Sequence, residues 1–351
     1  MPMLNIFDND AFSAVTLTQA IEKVPFKPQL LGQLGIFEPV PIRTEKVAIE
    51  KREGRLSIIQ TSQRGGPRGQ RTTEKRNIRD FRTARISKGD TITAAEMQNM
   101  RALGSETELQ TVQAEVMRRY AGPTGIQADV EMTWENMRLG AIQGIVEDAD
   151  GSTIYDWFAE WGITQPSAIN FALNTATTNI RAKCNQVGRA MAKASKGAWI
   201  PGRTKIHALC GSDFYDALVD HPKVRDTYLN WAAAADLREA VGGAYSAFSF
   251  GDIVWHDYRG SDDFVSVAST GTEGMGLTAS EVKFFPVGAP GVFQVAYSPG
   301  ESFEFVNTPG LPVYGRIMPD MKRNEFVEIE VDSYPLFMCT RPEMLQKGTA
   351  T

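Results

Sequence analysis

The residues able to do chemistry in this sequence are few, and their spacing fits no common catalytic centre. There are three histidines, His207, His221 and His256. None stands in a recognisable arrangement of nucleophile and general base, so each is expected to be structural or at the surface. The G-x-S-x-G elbow, the H-E-x-x-H zinc motif and the G-x-x-x-x-G-K-[ST] phosphate loop are all absent. The sequence therefore predicts a protein that is not an enzyme of these classes.

Metal and cofactor sites are not indicated either. The three cysteines are Cys184, Cys210 and Cys339. They lie far apart, without the paired spacing of zinc ligands, and are expected to be reduced core residues. Asp148 and Asp150 lack the further ligands of a calcium loop, and the glycines of 270–276 lack the spacing of a dinucleotide fingerprint. No catalytic, metal-binding or cofactor-binding residue is assigned, and no cofactor is expected.

The strongest local feature is a reversal of charge between two adjacent segments. Residues 43–88, the basic segment, carry fourteen basic and five acidic side chains. Residues 89–160, the acidic segment, carry four basic and thirteen acidic side chains. Segments of opposite charge favour pairing. Within the basic segment, residues 61–76 are rich in Gly and Arg and hold no large apolar side chain, which predicts a long mobile loop.

Three roles are open for this loop. Its arginines suit nucleic-acid phosphates, but residues 61–76 contain no aromatic side chain to stack on bases, and the whole chain has a formal charge of −5. A solvated loop without a partner is the second possibility. Contact with an acidic protein surface is favoured, and the helices expected within 105–150 of a second copy supply one. The side chains assigned to this contact are Arg55, Arg64, Arg68, Arg71, Lys75 and Arg76 on the basic side, and Glu131, Glu135, Glu147 and Asp148 on the acidic side.

The elements that must position these side chains are both helices and strands. Residues 46–60 alternate around Glu53-Gly54, which predicts a β-hairpin. Helical periodicity predicts helices over 12–24, 105–122, 125–151, 170–196, 211–222 and 223–241. A buried strand is expected over 204–210, and mostly strands follow Phe248. The chain is therefore expected to be α+β, with helices and strands segregated along the sequence.

The composition is that of a folded protein with a sizeable core. The chain has 351 residues, of which 42% are hydrophobic and 23% charged, which suggests about two domains. No apolar stretch approaches the roughly 20 residues needed to span a bilayer. The acidic start MPMLNIFDND lacks the features of a secretory signal, so a soluble protein is expected.

Five strings, taken together and in their order, carry a family resemblance. They are TEKVAIEKREGRLSII (44–59), VEDADGSTIYDWFAEWGI (146–163), KIHALCGSDFYDALVDHPKVRDTY (205–228), SFGDIVWHDYRG (249–260) and SYPLFMCTRPEML (333–345). The chain resembles the tailed-phage major capsid proteins of the Hong Kong 97-type fold. Within that group it is most similar to the phage lambda major capsid protein E family.

The resemblance implies an arrangement of parts. These are an N-terminal arm (1–44), an E-loop (45–90), a peripheral domain with a spine helix (91–164), an axial domain (165–320) and a return to the peripheral domain (321–351). It also implies a structural protein, not an enzyme, whose copies form hexamers and pentamers of an icosahedral phage head around double-stranded DNA. Scaffolding, portal and decoration proteins are its further expected partners, and the DNA is enclosed without sequence-specific binding. Assembly is expected in the host bacterial cytoplasm, with no membrane involved.

Three alternatives remain open at this point, and the least specific is an enzyme with an unrecognised site, for which the sequence offers no residues. The other two are more definite. One is an encapsulin-like protein compartment of the same fold, which encloses proteins in place of DNA. The other is a nucleic-acid-binding protein that uses the basic loop, and it predicts steeply salt-dependent DNA binding by dispersed subunits.

Overall fold

The computed structural model describes residues 26–52, 76–97, 112–229, 247–260, 275–323 and 325–351. The helices are α1 (Leu30–Leu34), α2 (Ala94–Met97), α3 (Val112–Ala121), α4 (Ile126–Gln143), α5 (Trp157–Trp161), α6 (Ile180–Ala194), α7 (Ser212–Asp220) and α8 (Pro222–Leu229). The first eight strands are β1 (Glu38–Pro41), β2 (Lys46–Arg52), β3 (Arg76–Arg82), β4 (Ile86–Thr93), β5 (Ile145–Glu147), β6 (Thr153–Asp156), β7 (Ile169–Asn170) and β8 (Lys205–Cys210). The others are β9 (Ala247–Phe250), β10 (Ile253–Asp257), β11 (Glu281–Val287), β12 (Phe293–Tyr297), β13 (Tyr314–Pro319), β14 (Phe326–Ser333), β15 (Pro335–Cys339) and β16 (Gln346–Thr349). The expected α+β class is confirmed. None of the helices in these ranges is long and apolar enough to cross a bilayer.

A six-stranded mixed sheet holds one core of the molecule. Its strand order is β7-β16-β11-β8-β10-β9, with β8 and β10 parallel and β8 and β11 antiparallel. The apolar sides of α6 and α7 lie on one face of this sheet. Trp255 is fully buried there, with its ring centroid 5.5 Å from that of Phe284 and 5.9 Å from that of Phe171. Such aromatic burial is among the largest single contributions to a core.

Two three-stranded sheets and two hairpin-like ladders surround α4. The sheets have the orders β1-β12-β15 and β13-β14-β4, and the ladders are β2-β3 and β5-β6. Met137 and Ile142 of α4 contribute to a second core with the strand β15. Val130, nearer the start of the helix, joins a third, smaller core with Ile329 and Val331 of β14. One helix therefore connects two groups of strands.

The helix α4 ends earlier than the sequence pattern predicts. The expected helix over 125–151 stops at Gln143, because Gly144 adopts a left-handed conformation with φ of 89°. A Cβ at Gly144 would lie 2.2 Å from Cε2 of Phe158, so this position also has no room for a side chain. The chain then forms the ladder β5-β6 around a turn at residues 148–151.

Other helices also begin at different residues than the sequence pattern predicts. The expected helix over 170–196 is the short strand β7 followed by α6, which begins only after Asn179 caps it through Ala182 N at 3.0 Å. The N-cap of α7 is Gly211, and Ser212 is the first residue of the helix. The next helix, α8, begins at Pro222, because the fixed φ of proline suits a first helical turn. The strand expected over 204–210 is confirmed as β8.

The expected hairpin over 46–60 has a different partner strand. The strand β2 pairs with β3, from Lys46 opposite Arg82 to Arg52 opposite Arg76. Residues 53–75, which include the Glu53-Gly54 turn, lie outside the described residues, as do residues 1–25 with their expected helix. The expected helices over 105–122 and 223–241 are described only in part, as α3 and α8.

The C-terminal strands are distributed over three sheets. β14 is the central strand between β13 and β4, while β15 is an edge strand beside β12. β16 lies between β7 and β11 in the six-stranded sheet, with Phe284 opposite Gln346. Residues 346–349 therefore lie in the same sheet as β7, β8, β10 and β11, and the expected division into domains stays a prediction.

Candidate functional site

The described part of the basic segment contains a regular antiparallel stem, the β2-β3 ladder. Because Arg52 and Arg76 are opposite each other, residues 53–75 leave and re-enter the fold at neighbouring positions. Arg76 opens β3. The other assigned basic residues, Arg55, Arg64, Arg68, Arg71 and Lys75, lie outside the described residues.

The stem is fixed to the core by its second strand. Phe81 is 2% exposed, and its ring centroid lies 5.4 Å from that of Trp157 and 5.7 Å from that of Trp161. The hydroxyl of Tyr155 accepts a hydrogen bond from the backbone N of Arg82 at 2.9 Å and donates one to its carbonyl at 2.8 Å. The stem therefore has a defined direction relative to β6 and α5.

The two charged segments pair partly within one chain. Arg79 of β3 donates to the backbone carbonyl of Glu160, and its guanidinium lies 3.2 Å from the Glu160 carboxylate. Lys88 of β4 lies 2.6 Å from Asp129 of α4. These exposed pairs contribute about 0–1 kcal/mol each to the free energy of folding. They therefore help to position the two segments relative to each other more than they stabilise the fold.

Glu135 is the assigned acidic residue whose position differs most from expectation. Its carboxylate is fully buried and accepts hydrogen bonds from the backbone N of Leu31 at 2.6 Å and of Gly32 at 2.9 Å. Arg138, one turn later, donates at 3.1 Å. Burial raises the pKa of Glu135, and the backbone donors and Arg138 partly oppose this effect. The carboxylate holds the chain's own α1, so it is not a surface group available to a second copy.

Glu131 lies one turn before Glu135 and is half-buried. Its carboxylate is 2.6 Å from Nζ of Lys27 and 3.3 Å from the side-chain amides of Gln29 and Gln127. Glu131 and Glu135 together fix residues 27–32 along α4. Sequence reasoning missed this role, because no motif marks a helix carboxylate as the acceptor for a segment a hundred positions away.

Glu147 and Asp148 are the assigned acidic residues that face solvent. Glu147 ends β5 and Asp148 begins the following turn, so neither is on a helix as expected. Oδ1 of Asp148 accepts from the backbone N of Ala149 at 2.8 Å, which leaves the carboxylate pointing out of the turn. Among the described residues, no cation lies within ion-pair distance of either carboxylate.

A carboxylate cluster at α3 was also missed from the sequence, although its spacing is visible there. Glu115 is 2% exposed and accepts from Arg118 at 2.7 Å and from Arg119 at 2.8 Å, at positions i+3 and i+4. These hydrogen bonds lower the pKa of Glu115 to about 2. Arg119 also reaches Asp90 of β4 at 3.2 Å, so the cluster joins α3 to the sheet.

The histidines are structural. Nδ1 of His207 lies 2.9 Å from Nε2 of His256 between neighbouring strands, and burial lowers the pKa of each ring to about 4. His221 bonds through Nε2 to the carbonyl of Thr175 at 3.1 Å and accepts from the backbone N of Lys223. Within the described residues, each of them therefore contacts the backbone or another core side chain.

The thiols and possible metal ligands are likewise part of the core. All three cysteines are buried and free, and burial raises the pKa of both Cys184 and Cys339 to about 12. A thiol with so high a pKa is unreactive at neutral pH. Within the described residues, no group of three or more His, Cys, Asp and Glu side chains is placed to hold a metal ion.

Several large apolar side chains are exposed in the single chain. They are Ile78, Met117, Phe303, Val306, Leu311, Ile317 and Met321. Phe303 is 98% exposed and Met321 is 91% exposed, which is unusual for residues of this size. Exposed apolar groups of this kind mark surfaces that become buried by contact with another protein.

The arrangement of the anchored stem, the long helix and the six-stranded sheet is that of the Hong Kong 97-type capsid fold. The subunit of the mature capsid of bacteriophage PhiM1 has the same fold, with a TM-score of 0.54 and 12% sequence identity over 90% of this chain and 86% of that one. The family described as phage major capsid protein E matches residues 13–350, so the chain belongs to that family. The sequence-based recognition is confirmed.

Known capsid proteins are similar to the chain over nearly its full length. The major capsid protein of Pseudomonas phage KPP10 is 29% identical over 349 residues, which cover 97% of each chain. The major capsid protein of Salmonella phage Felix O1 is 25% identical, over 98% of this chain and 97% of that protein. Membership assigns the chain a structural, non-enzymatic role in a capsid shell made from its own copies, and a location in the virion. The compartment and nucleic-acid-binding alternatives are not favoured.

Proposed function

We propose that copies of this chain form the hexamers and pentamers of an icosahedral phage head that encloses double-stranded DNA. Assembly takes place in the host bacterial cytoplasm, together with scaffolding, portal and decoration proteins. The DNA is enclosed without sequence-specific contacts. Family membership supports this proposal, and the exposed Phe303 and Met321 supply apolar surface for contacts between copies.

The observation that carries the contact between copies is the anchored β2-β3 stem. A loop on a flexible base would lose its orientation, whereas the burial of Phe81 holds the stem, and with it the two points at which residues 53–75 begin and end. We infer that the E-loop reaches an adjacent copy, where its basic side chains contact acidic ones. Those basic side chains are Arg55, Arg64, Arg68, Arg71, Lys75 and Arg76.

The acidic side of this contact is narrower than the sequence analysis assigned. Glu147 and Asp148 are exposed and free of ion pairs within the described ranges, and Glu131 is partly accessible. Glu135 is omitted because its carboxylate is buried against Leu31. Exposed charge pairs are worth about 0–1 kcal/mol each, but repetition around a closed shell lets them set the register of assembly.

The division into domains in this proposal follows the family arrangement, although β12 and β13, within residues 165–320, pair with strands of the two sheets around α4. The six-stranded sheet with α6, α7 and α8 forms the axial domain, over residues 165–320 and completed by β16. The strands around α4 form the peripheral domain over residues 91–164, to which β14 and β15 return within 321–351. Residues 1–44 form the arm and 45–90 the E-loop. α4 is the spine helix.

Charge reversal in the loop tests the contact. Arg64, Arg68, Arg71 and Arg76 are changed together to Glu, and a matched variant carries Lys at the same four positions. The Glu variant is expected to give folded, dispersed subunits and the Lys variant to give shells, because Lys keeps the charge. Size exclusion and negative-stain electron microscopy distinguish the two results, and circular dichroism checks folding. Intact shells from the Glu variant would refute the contact.

A further inference from the structure

A second pair of oppositely charged surfaces lies on the outer faces of α6 and α7, the two helices that pack on the six-stranded sheet. Residues 161–212 contain seven Lys and Arg side chains and no Asp or Glu. Three of these basic residues, Arg181, Arg189 and Lys193, are exposed on α6. At about 100° per residue they fall within a third of the helix circumference, opposite the buried residues Ile180 and Val187. We call these three side chains the basic face.

The helix α7 carries the opposite charge on its outer face. Asp213, Asp216 and Asp220 are all exposed, and their spacing of three and four positions places them on one side of the helix. The other side is buried through Phe214 and Leu218. We call these three carboxylates the acidic face.

Neither face is neutralised by another side chain among the residues that the structure describes. In the part of the chain that the structure describes, no carboxylate lies within ion-pair distance of the basic face, and no cation lies within that distance of the acidic face. Asp257, at the end of β10, adds to the acidic side, since burial and then the charge of Asp216 raise its pKa. Like charges held together without counter-charges cost free energy until an opposite surface covers them.

The two faces belong to one rigid unit. The buried sides of α6 and α7 share the same core on the same sheet, so the distance and angle between the two faces are fixed. A subunit with a positive face and a separate negative face pairs head to tail with its own copies. Such a contact is heterologous, and it closes into a ring when the rotation from one copy to the next divides the full turn.

We propose that the basic face of α6 contacts the acidic face of α7 in the next copy around each capsomer. This inference rests on the proposed assembly into hexamers and pentamers, and it names a contact distinct from that of the E-loop. The partner is a second copy because this chain itself presents the complementary surface. The edge of the basic face also opens into a cleft lined by Arg189, Lys205, Trp199 and Asp252, which gives the approaching helix a recess.

Two charge-reversed variants test the proposal. The first carries Arg189→Glu and Lys193→Glu, so that both faces are acidic. The second carries Asp216→Lys and Asp220→Lys, so that both faces are basic. Each alone is expected to lose capsomer rings, as measured by native mass spectrometry and negative-stain electron microscopy. Exposed positions on helices tolerate such changes with small effects on folding.

Recovery of the rings is the decisive result. An equal mixture of the two variants is expected to form hexamers, because an alternating ring again places opposite charges at every contact. Pentamers are expected to stay absent from the mixture, since five copies cannot alternate. A single chain with all four changes is expected to regain both. The conservative variant with Arg189→Lys and Lys193→Arg serves as the control and is expected to assemble as the unchanged chain does.

Several outcomes would overturn the proposal. Rings from each single-face variant alone would show that the faces do not meet. Folded variants that form no rings when mixed would also show that the faces do not meet. If the first variant assembles normally but loses affinity for double-stranded DNA, the basic face binds nucleic acid instead. An unchanged chain that forms no rings under any condition would contradict the proposed function itself, whereas normal assembly of all variants would contradict only this contact.

Discussion

Replacing Glu135 with Ala is expected to loosen the N-terminal segment from α4 and to destabilise the subunit. The backbone N of Leu31 is buried and would lose its acceptor, which costs about 1–3 kcal/mol. The backbone N of Gly32 and the guanidinium of Arg138 are partly accessible, so water replaces their lost bonds at about 1 kcal/mol in total. The expected loss in the free energy of unfolding is therefore about 2–4 kcal/mol. Glu135→Gln should lose less stability than Glu135→Ala. Its amide oxygen still accepts one hydrogen bond, whereas its NH2 group faces the second donor and cannot accept from it.

The assay is urea unfolding of the dispersed subunit at neutral pH, followed by tryptophan fluorescence. Glu131→Ala is the matched control, one turn earlier on the same helix. Its half-exposed pair with Lys27 is worth about 0–1 kcal/mol, so this variant should change little. A local measurement accompanies the global one: the backbone amides of Leu31 and Gly32 should exchange their hydrogens faster in the Glu135 variant, since residues 27–32 open first. If Glu135→Ala is within about 0.5 kcal/mol of Glu131→Ala, the reasoning from the buried backbone donor is wrong.

Further predictions concern acid stability, a glycine and the stem. The pKa of Glu115 is lowered to about 2 from an ordinary value of 4.5, so its contribution to stability is full above pH 4.5 and is lost as the pH falls towards 2. Because Arg118 is largely exposed, that loss is about 1–2 kcal/mol, and Glu115→Gln should flatten the acid limb of a stability–pH curve. Gly144→Ala should lower the free energy of unfolding by about 2–4 kcal/mol, because it adds a left-handed penalty and a clash with the ring of Phe158. Phe81→Ala should cost about 3–5 kcal/mol in chemical denaturation and reduce shell yield, because it removes the buried anchor of the stem.

Matched controls separate these mechanisms from general damage. Glu96→Gln removes an exposed carboxylate near Arg119 and should leave the acid limb unchanged. Gly151→Ala carries the same left-handed penalty with no atom near its Cβ, and should cost about 1–2 kcal/mol. Ile78→Ala alters an exposed position on the same strand as Phe81 and should leave unfolding almost unchanged. Equal effects in a variant and its control would contradict the corresponding mechanism.

Local patterns predicted some elements well. The buried strand β8 and the helix α7 were expected within two residues of their observed bounds, since each is a short, continuous pattern flanked by turn residues. The end of α4 was misplaced by eight residues, because helical periodicity continued through Gly144, whose left-handed conformation stops the helix. A short strand such as β5 has too few residues to show a period of its own.

Contacts between residues far apart in the sequence could not be predicted from local patterns. The turn signal at Glu53-Gly54 suggested a short hairpin, but the partner of β2 is β3, more than twenty positions later. Charged residues on a helix were taken to face solvent, but the Glu135 carboxylate is buried, because it accepts hydrogen bonds from the backbone of α1. The family resemblance supplied the overall arrangement, which charge and periodicity alone left open.

The distribution of β14, β15 and β16 over three sheets has a consequence for synthesis. Translation delivers the chain from its N-terminus, and each of the three sheets needs a strand from residues 326–349. No sheet of the three can be complete on the ribosome before that segment emerges, so all three sheets are completed only after residues 326–349 have been made. We therefore expect chains that stop before residue 326 to lack the finished surfaces that other copies recognise and to stay out of a growing shell.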